Sequence, residues 1–215
     1  MHSALDVAAW FLNEIDRKAG DSITNLKLQK LVYYAQAWSV ALLNQPLFPE
    51  EVEVWAHGPV VDTVYQKYKG FRYDAIPRSS RKPRFAQQEL TVLEDVLAIY
   101  GEHSAKFLED LTHQEDPWRA TWGDRPPTSR SRQQVPLAVM WNYYRQQYDR
   151  RGEPEMKVDL KQLRQEPLEE GVLPLPPRDD GDDWMPDAEF LADSAASQLS
   201  IARSTGRGVR VAART

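Results

Sequence analysis

The stretch 23–61, ITNLKLQKLVYYAQAWSVALLNQPLFPEEVEVWAHGPVV, decides how the chain is read. Leu28, Leu31, Val32, Ala35, Trp38 and Leu42 recur at the spacing that lines one side of an α-helix. Thr24 precedes them as an N-cap, its hydroxyl able to accept from a first-turn amide, and Asn44 with Pro46 supplies the stop. The rhythm then changes. Val52, Val54 and Ala56 alternate with Glu53, Trp55 and His57, the two-residue period of a short strand. Gly58-Pro59 reads as the start of a third helix, Pro59 at its first position, where a missing N–H costs nothing.

Outward from this block the pattern stays helical. Residues 3–18 form a first helix with Leu5, Ala8, Ala9, Leu12 and Ile15 as its buried stripe; Ser3 and Asp6 are spaced as a capping box, and Gly20 follows the end. Residues 59–69, 90–100 and 104–111 supply three further helices, and Thr112 to Trp118 closes the last of them and turns the chain. A Pro- and Ser-rich connector leads to a sixth helix opened by Pro136, with Leu137, Met140, Tyr144 and Tyr148 on its apolar face. The expected class is therefore mainly α: a compact domain of about six helices with a short β element around residues 52–57.

Composition sets limits. The chain has 215 residues, a net charge of −5 and no cysteine, so disulfides, thiolate metal sites and a cysteine nucleophile are excluded. No apolar run approaches a membrane span, and the N-terminus, with acids inside it, is unlike a signal peptide, so a cytoplasmic protein is expected. The acidic balance and the lack of a basic recognition helix argue against nucleic acid. Past residue 151 the character shifts: 13 acidic residues face 5 basic ones over residues 151–193, with six prolines. Residues 1–150 are thus read as the domain, 151–186 as an acidic, Pro-rich linker, and 187–215 as a short helix (Phe190, Leu191, Leu199 on one face) with an Arg/Gly-rich tail.

Few residues invite chemistry. His113-x-Glu115 suggests a metal-dependent hydrolase at most, but HExxH and paired histidines are missing, and His113 with Thr112 above Trp118 reads better as a hydrogen-bonded turn. There is no GxSxG elbow and no glycine-rich phosphate loop. No catalytic residue, metal or cofactor is therefore assigned. Gln29, Lys30, Tyr33, Tyr34 and Gln36 lie on the flanks of the second helix, where tyrosines at a surface would suit a protein partner, as would Trp55 and His57. The tyrosines could equally cover the edge of the core. Residues 72–84 hold five basic residues against Asp74; a solvated loop is favoured there over a contact for an acidic partner or RNA, since no aromatic platform is evident.

The runs LKLQKLVYYAQAW, PLF, EVEVWAHGPVV and SAKFLEDLTHQEDPW together resemble the Panacea (SocA-like) antitoxin domain over roughly residues 3–148. Gly58, Pro59, Thr112, His113, Pro117 and Trp118 are the motif residues of structural kind. The resemblance implies an antitoxin of a type II toxin–antitoxin pair, prophage-associated in part of the family, that neutralises a cognate protein toxin by direct binding; alarmone-synthetase relatives are among such toxins. One branch of the family instead delivers its toxin to a AAA+ protease. A homo-oligomer within the toxin complex is compatible with either. His57 stands where an aromatic such as tyrosine is expected, and the extension after residue 151 lies outside the shared domain.

Overall fold

A computed structural model describes residues 2–17 and 22–151. Among these residues the chain forms seven α-helices and one two-stranded antiparallel sheet. Helix α1 (Ala4–Glu14) opens on the expected capping box, Ser3 accepting from the Asp6 amide while Asp6 accepts from Ser3. It stops four residues before residue 18, because Ile15 leaves the helix with ψ at 135°. Gly20 lies outside the described residues.

Helix α2 (Asn25–Leu43) is capped by Thr24 and ends on Asn44 in the left-handed region at φ 54°. It is the axis of the molecule, packed against α1, α4 (Gln87–Tyr100), α5 (Ala105–Gln114) and α7 (Leu137–Arg151). Seventeen of its 19 residues are buried, so the one-sided stripe read from its apolar spacing understates its role. Leu28, Leu31, Tyr33, Tyr34, Val40 and Leu42 are all wholly buried. A helix covered on every side is a core helix.

The β element is a hairpin. Strand β1 (Glu53–Trp55) pairs with β2 (Gly58–Val60) in the register Glu53↔Val60, Val54↔Pro59, Trp55↔Gly58. Pro59 therefore sits in a strand, and the third helix, α3 (Asp62–Tyr68), starts three residues later than its Gly-Pro signal suggested. Gly58, which enters β2 directly after the Ala56-His57 turn, holds φ 97°, a conformation that only a residue without a β-carbon adopts cheaply. The outer edge of β1 is closed by residues 133–135, Val54 donating to Gln133 O at 2.7 Å and Val135 to Val52 O at 2.8 Å. Ile76, in the segment after α3, bonds elsewhere, its amide donating to Ile23 O at 2.8 Å.

A seventh helix was not expected. The segment Thr112 to Trp118, read as the close of a helix and a turn, instead leads into α6 (Asp116–Trp122), with Pro117 in its first turn, where proline is well tolerated. Helix α6 shelters Trp118 and Trp122, whose rings stack at 5.2 Å. The linker expected at 151–186 and the helix with Phe190, Leu191 and Leu199 lie outside the described residues.

Candidate functional site

The sequence motifs meet where α2 faces the hairpin turn and α5. Lys30 is the centre. It rises from α2, is completely buried, and its ammonium donates to the carbonyl of His57 and, at 3.3 Å, to that of Pro59. Two carbonyls of the hairpin are thus satisfied by one side chain from another element. Gly58 makes this approach feasible: a β-carbon there would run into Lys30 Nζ and lie 2.7 Å from Thr112 Oγ1.

Around Lys30 stand ionisable neighbours. His57 Nδ1 lies 2.7 Å from Glu109 Oε1, and Lys106 reaches the other carboxylate oxygen at 3.4 Å. Burial pushes the Glu109 carboxyl up, but the His57 ring, Lys106 and Lys30 together outweigh it and hold the group below its usual range. Burial lowers Lys30 to about 7 despite the attraction of Glu109. His113 is lowered to about 4, first by burial and then by the nearby Lys30 charge. Its ring lies 4.1 Å from that of Trp118, and its Nε2 is buried without a hydrogen-bond partner.

A second cluster adjoins the first on the α7 side. Tyr144 donates to Glu115 Oε2 at 2.7 Å and contacts the Tyr33 hydroxyl at 3.1 Å, while Tyr34 reaches the same Glu115 oxygen at 3.3 Å. Burial and then the Glu115 charge raise Tyr33, Tyr34 and Tyr144 above the ordinary phenol range. Tyr34 stacks on Tyr100 at 3.9 Å. The carboxylate is therefore enclosed by aromatic hydroxyls, a buried charge held by its hydrogen bonds.

The binding patch expected on α2 is not formed at the surface. Gln29, Lys30, Tyr33, Tyr34 and Gln36 are at most 2% exposed. The physical reason is that each polar group has an internal task. Gln29 accepts from the Val61 amide at 2.9 Å, and Gln36 joins the loop after α2 by accepting from the Leu47 amide at 2.8 Å and donating to Phe48 O at 2.9 Å. Trp55 and His57 are half-buried; Trp55 donates to Glu53 at 2.8 Å, and its carbonyl accepts from Trp118 at 2.9 Å. Thr112, Pro117 and Trp118 are buried, and the Thr112 hydroxyl donates to Glu109 O at 2.8 Å.

Sequence reading missed Glu109 and Tyr144. Glu109 precedes His113 by one helical turn, so i, i+4 spacing was the available signal. Tyr144 carries no local sign of a partner more than a hundred residues away. His113 and Glu115 are separated in use, one against Trp118 and the other among tyrosines. Among the described residues no three His, Asp or Glu side chains gather as a metal site, and no helix is long and apolar enough to cross a membrane.

Apart from Tyr144, these residues fall in the part of the chain that matches a known family. Residues 28–119 match the family described as antitoxin SocA-like, Panacea domain. The match runs from α2 into α6 and includes both sides of the Lys30–Gly58–Glu109 junction. No curated protein and no solved structure matches the chain.

Proposed function

Because residues 28–119 match the SocA-like Panacea domain family, we propose that the protein is an antitoxin that neutralises a cognate protein toxin by binding it directly and occluding its active site or substrate groove. The family match is the observation that carries this reading. The interior agrees with it: Lys30, Glu109 and Glu115 all engage other parts of the chain, as framework residues do. On this reading the protein has no reaction of its own and needs no cofactor. The hydrolase alternative built on His113 and Glu115 gains no support from two side chains turned to different neighbours.

A translation-blocking, alarmone-synthetase-like toxin is the proposed class of target, in the cytoplasm. Residues 1–150 are proposed to suffice for binding, with 151–186 as a linker and 187–215 as a second contact. Co-expression with the neighbouring small open reading frame tests the reading. Growth arrest by that frame alone, relieved by this protein with recovery of a stable complex, is the expected result. Turnover of a substrate by the purified chain, or no complex with any neighbour-encoded poison, would overturn it. The adaptor alternative is separated by toxin half-life, which falls in the presence of a AAA+ protease only if the protein delivers its partner. Truncation after Arg151 tests the second contact.

A further inference from the structure

Residues 76–85, between α3 and α4, contain neither helix nor strand, yet they are firmly placed. Ile76 is buried, bonded to Ile23, and its carbonyl accepts from Arg17 at 2.8 Å. Asn13 on α1 then clamps the backbone twice, its Oδ1 accepting from the Ser79 amide at 2.9 Å and its Nδ2 donating to Arg81 O at 2.8 Å. Arg81 pairs with Asp6 at 3.1 Å, and Phe85 lies 4.2 Å from the His2 ring.

From Ser79 onward the anchors fall on odd positions. The Ser79 amide, the Arg81 carbonyl and the Arg81 side chain are tied to α1, Phe85 packs on His2, and Ser79, Pro83 and Phe85 are half-buried. Arg78, Ser80, Lys82 and Arg84 alternate with them and are exposed. The segment bends at Ser80 and has no strand partner, so it is an irregular strap, and Pro77 and Pro83 keep it out of helix by restricting their own φ and the residue before. Its outer face is a row of three cations that form no ion pair among the described residues. Residues 62–84 carry seven basic side chains against Asp62 and Asp74. A few residues before the segment, Arg72 holds φ 49°, unusual for a side chain of its size, beside Tyr73, which is 63% exposed.

We propose that this strap, Arg78, Lys82 and Arg84 with Arg72 and Tyr73 at one end, docks an extended acidic segment of a protein partner, carboxylates on alternate residues facing the cation row. The inference deepens the antitoxin reading and rests on it for the identity of the partner. Lys82 and Arg84, two residues apart beyond the bend at Ser80, match the repeat of about 7 Å per two residues of an extended partner, and Arg78 adds a third cation on the near side. Anchoring by Asn13, Arg17 and Asp6 means little order remains to be imposed on binding. Arg and Tyr are the residue types enriched at the centres of protein interfaces. Tyr73 alone, with no second aromatic exposed beside it, offers poor stacking for successive bases, so protein is favoured over nucleic acid.

The test uses the full-length protein and a fluorescent peptide of alternating Glu and Thr, independent of any toxin. Expected are saturable binding that weakens as salt rises from about 0.05 to 0.5 M, and at least about tenfold loss in R78E/K82E/R84E. The control R119E/R130E/R132E is expected to retain affinity within about twofold, and all variants to keep the wild-type melting temperature. A peptide of the same composition with its acids in one block is expected to bind several-fold more weakly. Equal binding by the blocked peptide, equal loss in the control triple, no binding by the wild type, or tighter binding of a thymidine oligonucleotide of equal charge overturns the strap as a protein dock. Because no toxin is involved, failure here leaves the antitoxin reading standing, and failure to neutralise leaves the strap standing.

Discussion

Replacing Gly58 by alanine strikes the junction of α2, the hairpin and α5 at once. Two costs follow from the geometry. The residue sits at φ 97°, where an L side chain meets about 1–2 kcal/mol of local strain. The new methyl would also press on Lys30 Nζ and on Thr112 Oγ1, only 2.7 Å away. Lys30 could yield only by loosening its bonds to the His57 and Pro59 carbonyls, buried acceptors whose loss costs about 1–3 kcal/mol. The sum is about 3 kcal/mol, a large share of the 5–15 kcal/mol typical of a domain. Urea unfolding followed by tryptophan fluorescence should show this as a midpoint lowered by about 1–2 M. A double-mutant cycle separates the causes. With Lys30 shortened in K30A the collision with its ammonium is relieved, while the backbone strain and Thr112 remain. G58A should therefore cost at least about 1 kcal/mol less in K30A than in wild type. A G58A cost below about 1 kcal/mol, or strict additivity with K30A, would refute the claim that Gly58 exists to admit Lys30.

Lys30 also predicts a pH dependence. Its folded pKa, about 7, lies below the ordinary 10.5, so between those values the unfolded chain holds the extra proton and stability rises with pH. K30M should flatten that rise in urea midpoints measured from pH 7 to 10, and an unchanged slope would count against a buried, readily deprotonated lysine. His113, lowered to about 4, acts in the same sense from pH 6.5 down to 4: stability falls as the unfolded chain protonates first. H113F should reduce the loss in that window and leave toxin neutralisation intact; abolished activity with normal folding would instead favour a chemical role. Q36A should cost about 2–3 kcal/mol, since it strands the Leu47 and Phe48 backbone groups in the interior; thermal melting would read this as a fall of several degrees. Y144F should destabilise by about 1–3 kcal/mol through the weakened enclosure of Glu115, and a neutral result would contradict the 2.7 Å hydrogen bond.

Local signals were legible where one stretch of chain decides the outcome. The Ser3–Asp6 box and the Thr24 cap each involve neighbours three residues apart and formed as expected. Gly58-Pro59 was read as a helix start because the pairing that makes it a strand, Val54 with Pro59, depends on the turn and on Lys30 from a distant element. The segment Thr112 to Trp118 was read as a closing turn and the helix that begins within it was missed, because a first-turn proline such as Pro117 looks like a stop without the residues that follow it. The burial of Gln29, Lys30, Tyr33, Tyr34 and Gln36 could not be seen from spacing alone. Their partners, Val61, His57, Tyr144, Glu115 and the Leu47–Phe48 backbone, arrive from other segments and convert a polar flank into interior. In the same way the strap over α1 looked like a plain loop, since only Asn13 reveals which residues face inward.

The near-total enclosure of α2 has an evolutionary consequence. A helix with no free circumference cannot be retuned for a new antagonist without dismantling the body it supports. Recognition must then diversify on the periphery, which leaves the scaffold and the choice of target separately adjustable. A library that varies only outward-facing positions of the strap and of α5, such as Phe107 at 48% exposure, should keep its fold in most members while its repertoire of targets shifts.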